Sequence, residues 1–362
     1  MLSKDYSAFL TFVRLGIGHS YYDLPKDVNW ASIKTLADSQ GLSAVVLDGI
    51  DKCHAKDADT IAMLPQRMRL EWIGEVMRNY EGRYPVYEKA IGSLAGFYNQ
   101  QGFKMMVIKG LACSLDWPKP SHRPCGDIDI WQFGQQKEAD AALAAMKGVR
   151  VDSTHHHHTV FTWQSFMVEN HYDFINVHHH KSNTAFEEIL KKEGADDSHF
   201  IEICGEKVYL PSPNLHALFL LKHTMLHFAS EGVTLRQLLD WGFFVNAHGK
   251  EVDWKMVMEV LDQFGMRKMF NIINAICVEN FGFSTYIFPE VQFDSDLKER
   301  VLNEILNPEF AGELPKGMLD RVLFKIRRWK ANEWKHELCY NESMWSAFWS
   351  GIWNHLLKPS SI

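Results

Sequence analysis

Apolar positions recur at helical spacing over the first hundred residues, give way to short apolar runs broken by turns, and return to helical spacing from residue 214 onward. In the first stretch Trp30, Ile33, Leu36 and Ala37 share one helix face, and Met68 to Tyr98 continues as long helical segments, with no strand required before Phe103. Phe103 to Ile108 then reads as a short buried strand, Lys109-Gly110 as a tight turn, and Leu111 to Leu115 as the first turn of a helix. Asp127 and Asp129 alternate with Ile128 and Ile130, the mark of a half-buried strand with one polar face. Gln135 to Met146 predicts a helix, Thr159 to Glu169 and Tyr172 to His179 two pairing strands, and His199 to Pro211 a hairpin. Further on, Leu215, Leu218, Phe219 and Lys222 lead along a helix to His223 and His227, which share a face. Arg236 and Asp240 repeat that i, i+4 spacing, which forms an ion pair in most helices whatever the function. The tail, Met344 to Leu356, aligns Trp345, Phe348, Trp349, Ile352, Trp353 and Leu356 on one face. That stripe reads first as core and second as a homo-oligomer contact. The pattern predicts an α+β fold, with a small mixed sheet at 101–212 between a helical segment at 1–100 and a helical region at 213–362.

Composition narrows the class. The 362 residues are 46% hydrophobic and 23% charged, which fits one large or two medium packed domains rather than extensive disorder. A net charge of −7 gives no global attraction to polynucleotides, so a nucleic-acid partner is not expected. The most basic run, KIRRWKANEWK at Lys325 to Lys335, reads as an amphipathic helix with a solvated basic face. Six scattered cysteines without a C-x-x-C argue against a disulfide framework and for a reducing cytoplasm. No run approaches a membrane span and the N-terminus shows no cleavage signal, so the expected location is cytoplasmic, with no membrane partner.

The candidate chemistry centres on Asp127 and Asp129. Two like charges roughly 6 to 7 Å apart on one strand face repel each other, and a fold that keeps both usually supplies a cation or a hydrogen-bond network. Mg²⁺ binds through one or two carboxylates plus substrate phosphates, so the pair need not form a complete cage. Lys109 abuts the glycine turn and suits a phosphate. Arg123 suits either a triphosphate or an ion pair with Asp127, and Cys125 reads as small-residue packing. Eight of the eighteen histidines lie between His155 and His180. Consecutive residues in an extended segment alternate in direction and cannot all reach one ion, so these read as surface histidines rather than a zinc site.

The spacing IKG-x(16)-DIDI, with an Arg-Pro before the acids, resembles the nucleotidyltransferase superfamily of the polymerase β type. More narrowly it resembles the uncharacterised bacterial nucleotidyltransferases, also in HRPCGDIDI, in the strand ending NVHHH and in LKHTMLHFASEGVTLRQLLDWGFF. The resemblance runs from about residue 25 to about residue 250. It implies Mg²⁺ or Mn²⁺ as cofactor, a nucleoside triphosphate such as ATP as donor, and an unidentified small-molecule or macromolecular acceptor. It further implies that Asp127 and Asp129 hold the metal, that Lys109 and Gly110 position the triphosphate, and that Arg123 supports the strand or the phosphates. The superfamily carries a third carboxylate on a neighbouring strand, two residues before a His in the narrower group; in FINVHHH that place holds Asn176, an amide that cannot act as a base. His178 shares the Asn176 face and could help instead. The helix carrying Arg236 and Asp240 is implied to approach the catalytic module, with His223, Arg236 or Asp240 as substrate contacts. The alternative is a catalytically inactive relative that keeps the fold and binds a nucleotide or a partner.

Overall fold

The structure is a computed structural model, and it describes residues 3–19, 27–54, 64–155, 157–177, 180–310 and 317–345. The chain divides into two compact units, Met1–Arg78 with Leu221–Gly249 and Trp254–Asn341, and Asn79–Leu220 with Lys250–Asp253 and Glu342–Ile362.

The first unit is helical. Its leading elements are α1 (Lys4–Gly16), α2 (Trp30–Ser39), α3 (Ser43–His54) and α4 (Gln66–Val76). Ser3 caps α1 by accepting the Tyr6 N–H, and Asn29 caps α2 by accepting that of Ser32. The predicted face Trp30, Ile33, Leu36 and Ala37 is buried, as its spacing requires.

The second unit holds the sheet. α5 (Arg83–Gln100) leads to β1 (Met106–Val107), the single turn α6 (Leu111–Ser114), β2 (Ile128–Trp131) and α7 (Gln136–Ala144). The hairpin β3 (His158–Trp163) and β4 (Phe166–His171) follows, then α8 (Lys181–Gly194) and a second hairpin, β5 (Phe200–Ile203) and β6 (Glu206–Tyr209). Among the described residues these strands form one six-stranded mixed sheet in the order β3-β4-β2-β1-β6-β5. β2 runs antiparallel to β1 and parallel to β4. Under one face lie Tyr87, Ile91, Leu94 and Tyr98 of α5 and Leu143 of α7, packed with Val107, Ile128, Ile130 and Val168 of the sheet. The other face of β2 is thereby left to Asp129 and Trp131.

The remaining helices are α9 (Pro213–Ser230), whose first eight residues belong to the second unit, α10 (Leu235–His248), α11 (Trp254–Gln263), α12 (Arg267–Glu279), α13 (Ser295–Leu306), α14 (Met318–Ala331) and α15 (Glu333–Cys339). The basic run Lys325 to Lys335 is helical but interrupted, because Asn332 is buried and gives its amide to the Ser230 carbonyl. No helix among the described residues is long and apolar enough to cross a membrane. The tail stripe from Phe348 to Leu356 lies outside the described residues; ahead of it Met344 is buried and Trp345 is exposed.

The predicted strand pair at 159–179 is corrected. Gln164, at φ 53°, turns the chain inside the first predicted strand, so β3 and β4 both come from 158–171. Residues 172–177 carry no strand. Their N–H groups are committed elsewhere, since Phe174 and Ile175 donate to the Glu187 carboxylate at 2.8 and 3.1 Å. The second hairpin stands as predicted, turning through Cys204 and Gly205 at φ 54° and 81°.

Candidate active site

The acid site follows from the register of β2 and β4. Ile128 and Ile130 are pulled into the core beneath the sheet, which leaves Asp129 on the opposite face and half-buried Asp127 just ahead of the strand. The parallel register sets Asp129 opposite Glu169 and Trp131 opposite His171. Partners in register share a face, so Glu169 and His171 join Asp129. His171 Nε2 lies 3.4 Å from Asp129 Oδ1 and 3.5 Å from Glu169 Oε2. Its Nδ1 faces the Asp173 carbonyl at 3.2 Å. One ligand atom from each of Asp129, Glu169 and His171 lies within 4.8 Å of the others.

The electrostatics are those of a carboxylate cluster with an internal cation. Burial, and then the charge of Asp129, pushes the Asp127 carboxyl above its ordinary range, against the pull of Lys109. The hydrogen bond to His171 holds Glu169 below its usual value. Burial acts to lower His171, but hydrogen bonds to Asp129 and Glu169 outweigh it and raise the imidazole to about 9. Its neighbour His158 is pushed down to about 4, chiefly by burial.

Beside the acids stands the glycine turn. β1 places the Ile108 N–H on the Asp129 carbonyl at 3.0 Å, and the chain then turns through Gly110 at φ 48° and ψ −98°. A Cβ there would stand 2.2 Å from the Tyr87 Oη. That hydroxyl donates to the Asp127 carbonyl at 3.0 Å, so turn, tyrosine and acid are fixed together. Lys109 is half-buried and its charge is felt at Asp127. Arg123 is buried, with Nη1 donating to the Pro124 carbonyl at 3.3 Å. Cys125 packs beneath it as small-residue filling, its thiol 3.5 Å from the Arg123 carbonyl. Arg83 donates from Nε to the Cys125 carbonyl at 3.1 Å and lies 4.6 Å from the Phe166 ring.

The other sequence candidates stand on other segments of the chain. Asn176 follows β4 in a segment outside the sheet, its carbonyl accepting from Asn183 Nδ2 at 2.8 Å. His178 lies outside the described residues. His223 on α9 and Arg236 and Asp240 on α10 belong to the first unit. Sequence reasoning missed Glu169 and His171, although the signal was present: Glu169-Asn170-His171 has the same acid-two-before-His spacing as 176 and 178. The expected strand at 172–179 directed attention to the later match. The histidines are also corrected, because His158 and His171 are buried rather than on the surface.

A family model described as an uncharacterised nucleotidyltransferase matches residues 26–282. No curated protein and no solved structure matches the chain.

Proposed function

Since the chain belongs to this uncharacterised nucleotidyltransferase family, we propose that it moves a nucleoside monophosphate from a nucleoside triphosphate to an acceptor hydroxyl with Mg²⁺ or Mn²⁺, using Asp127, Asp129 and Glu169. The observation that carries this reading is the register Asp129↔Glu169. It sets a third carboxylate on the strand beside the acid pair, the place for which Asn176 would have offered only an amide. The inactive alternative rested on that missing charge, which in this reading Glu169 supplies.

The donor set fits the ion. Asp129 and Glu169 offer hard oxygen ligands of the kind Mg²⁺ takes, with Asp127 just ahead of the strand to add a further one, and the first two already raise His171 to about 9, the electrostatic mark of a place that favours a cation. When bound, the ion supplies neutralisation of the charge that develops on the transferred phosphate. The acceptor oxygen forms a bond to the α-phosphorus as the bond to pyrophosphate breaks, and the acceptor proton passes to a carboxylate. Glu169, held ionised by His171, is the residue for that step. Lys109 faces the triphosphate from the glycine turn. Gly110 and Tyr87 hold Asp127 in place, and buried Arg123 supports the segment that enters β2.

The test is calorimetric binding of ATP, GTP, CTP and UTP with and without Mg²⁺. Mg²⁺-dependent binding of at least one nucleotide is expected in the unmodified chain and in Asn176→Ala, with loss in Glu169→Gln. Unchanged binding in the Asp127→Ala, Asp129→Ala double variant would overturn the assignment.

A further inference from the structure

His157, His158 and His171 form a cluster beside the acids, with one ring nitrogen from each within 4.8 Å of the others. The hairpin creates it. His158 opens β3 and His171 closes β4 in direct register, with ring centroids 5.2 Å apart. His157 precedes the strand, and its carbonyl accepts the Tyr172 and Asp173 N–H groups at 3.1 and 3.2 Å. Strand alternation therefore does not apply at His157, and its ring meets that of His158 edge-on at 4.3 Å. This is how consecutive histidines reach a common point. Glu169 Oε2 completes the surround, 3.9 Å from His158 Nδ1 and 3.5 Å from His171 Nε2.

We propose that His157, His158 and His171, with Glu169 as the anionic ligand, bind a borderline divalent transition metal of the Zn²⁺ type. Three imidazoles and a carboxylate match the ligand preference of Zn²⁺, whereas Mg²⁺ favours oxygen donors. A tetrahedral ion with Zn–N distances of about 2.0–2.1 Å holds its nitrogens roughly 3.4 Å apart, so small ring rotations close the set. The Asp173 carbonyl facing His171 Nδ1 is the kind of outer partner that orients a ligating imidazole through its other nitrogen. One consequence rests on the function proposed above. Glu169 and His171 also face Asp129, so Zn²⁺ on the imidazoles draws them from the acid site and opposes Mg²⁺-nucleotide binding.

Zn²⁺ titrated calorimetrically into the metal-stripped full chain tests the site. A single saturable site is expected, weakened at least about tenfold in His157→Ala and in His158→Asn, and unchanged in Asp127→Asn and in the His178→Ala, His179→Ala double variant. Unchanged affinity in the first two variants, or loss in the His178, His179 variant, overturns it. Should those variants fail to fold, electron paramagnetic resonance of Cu²⁺ on the unmodified chain decides. Nitrogen hyperfine structure from imidazoles is expected, and an all-oxygen spectrum overturns the proposal. If Zn²⁺ binds as described while no nucleotide binds with Mg²⁺, only the nucleotidyl-transfer reading fails.

Discussion

At the residue scale, Gly110 and Glu169 carry the sharpest expectations. A Cβ at Gly110 would meet the Tyr87 hydroxyl at 2.2 Å on a backbone with φ 48°. Gly110→Ala is therefore expected to cost about 1–3 kcal/mol, read as a fall in the denaturant midpoint. The Tyr87→Phe background should recover part of that loss by removing the oxygen, and no recovery would mean that the backbone angle alone is responsible. At the acid site, Glu169→Gln should lower nucleotidyl transfer by roughly 10²-fold or more, while Asn176→Ala should leave it nearly unchanged. Single-turnover rates with the matched nucleotide check this, and the reverse order would return the third place to Asn176. The place of Asp129 on one strand face was legible in the sequence, because alternation within one strand is a local property; Asp127, expected on the same strand, lies just ahead of it. Glu169 was not legible, because its place opposite Asp129 depends on which strand lies beside β2.

At the element scale, α8 decides what the chain does after β4. Glu187 on that helix is 3% exposed and accepts the N–H groups of Phe174 and Ile175, which keeps 172–177 out of the sheet. Burial raises its carboxyl from 4.5 to about 7, against the opposing pull of the Phe174 N–H. The folded chain thus holds the Glu187 proton more tightly than the unfolded chain. Its contribution to stability is full below about pH 4.5 and is lost as the pH rises through 7, by up to roughly 3 kcal/mol. Glu187→Gln cannot titrate, so urea titrations from pH 4 to 8 should show the unmodified chain losing stability relative to the variant. Parallel profiles would sink this account. The helices and the second hairpin were readable from periodicity and turn residues. The β3–β4 hairpin was not, since Gln164 at φ 53° is an uncommon turn residue and a Glu187 contact thirteen residues away ends the strand pattern.

At the scale of the whole molecule, a net charge of −7 predicts little affinity for polynucleotides. Fluorescence anisotropy with single-stranded RNA at near-physiological salt should show no saturable binding below about 10⁻⁶ M; tight binding would make RNA a candidate acceptor. The family match at 26–282 runs through parts of both compact units, so helices that carry no acid of the cluster are part of what the family shares. The sequence by itself determined the α+β class, the succession of helices and short strands, the polar face of β2 that carries Asp129 and the glycine turn before it. Each of these depends on spacing within one element or on one residue's backbone freedom. Only the tertiary structure decided that β4 lies parallel to β2, that Glu169 and His171 face Asp129, and that His157 and His158 close around them. Those contacts join residues from about eleven to about forty positions apart, and they are selected by strand register and by which backbone N–H groups find partners, neither of which local spacing encodes.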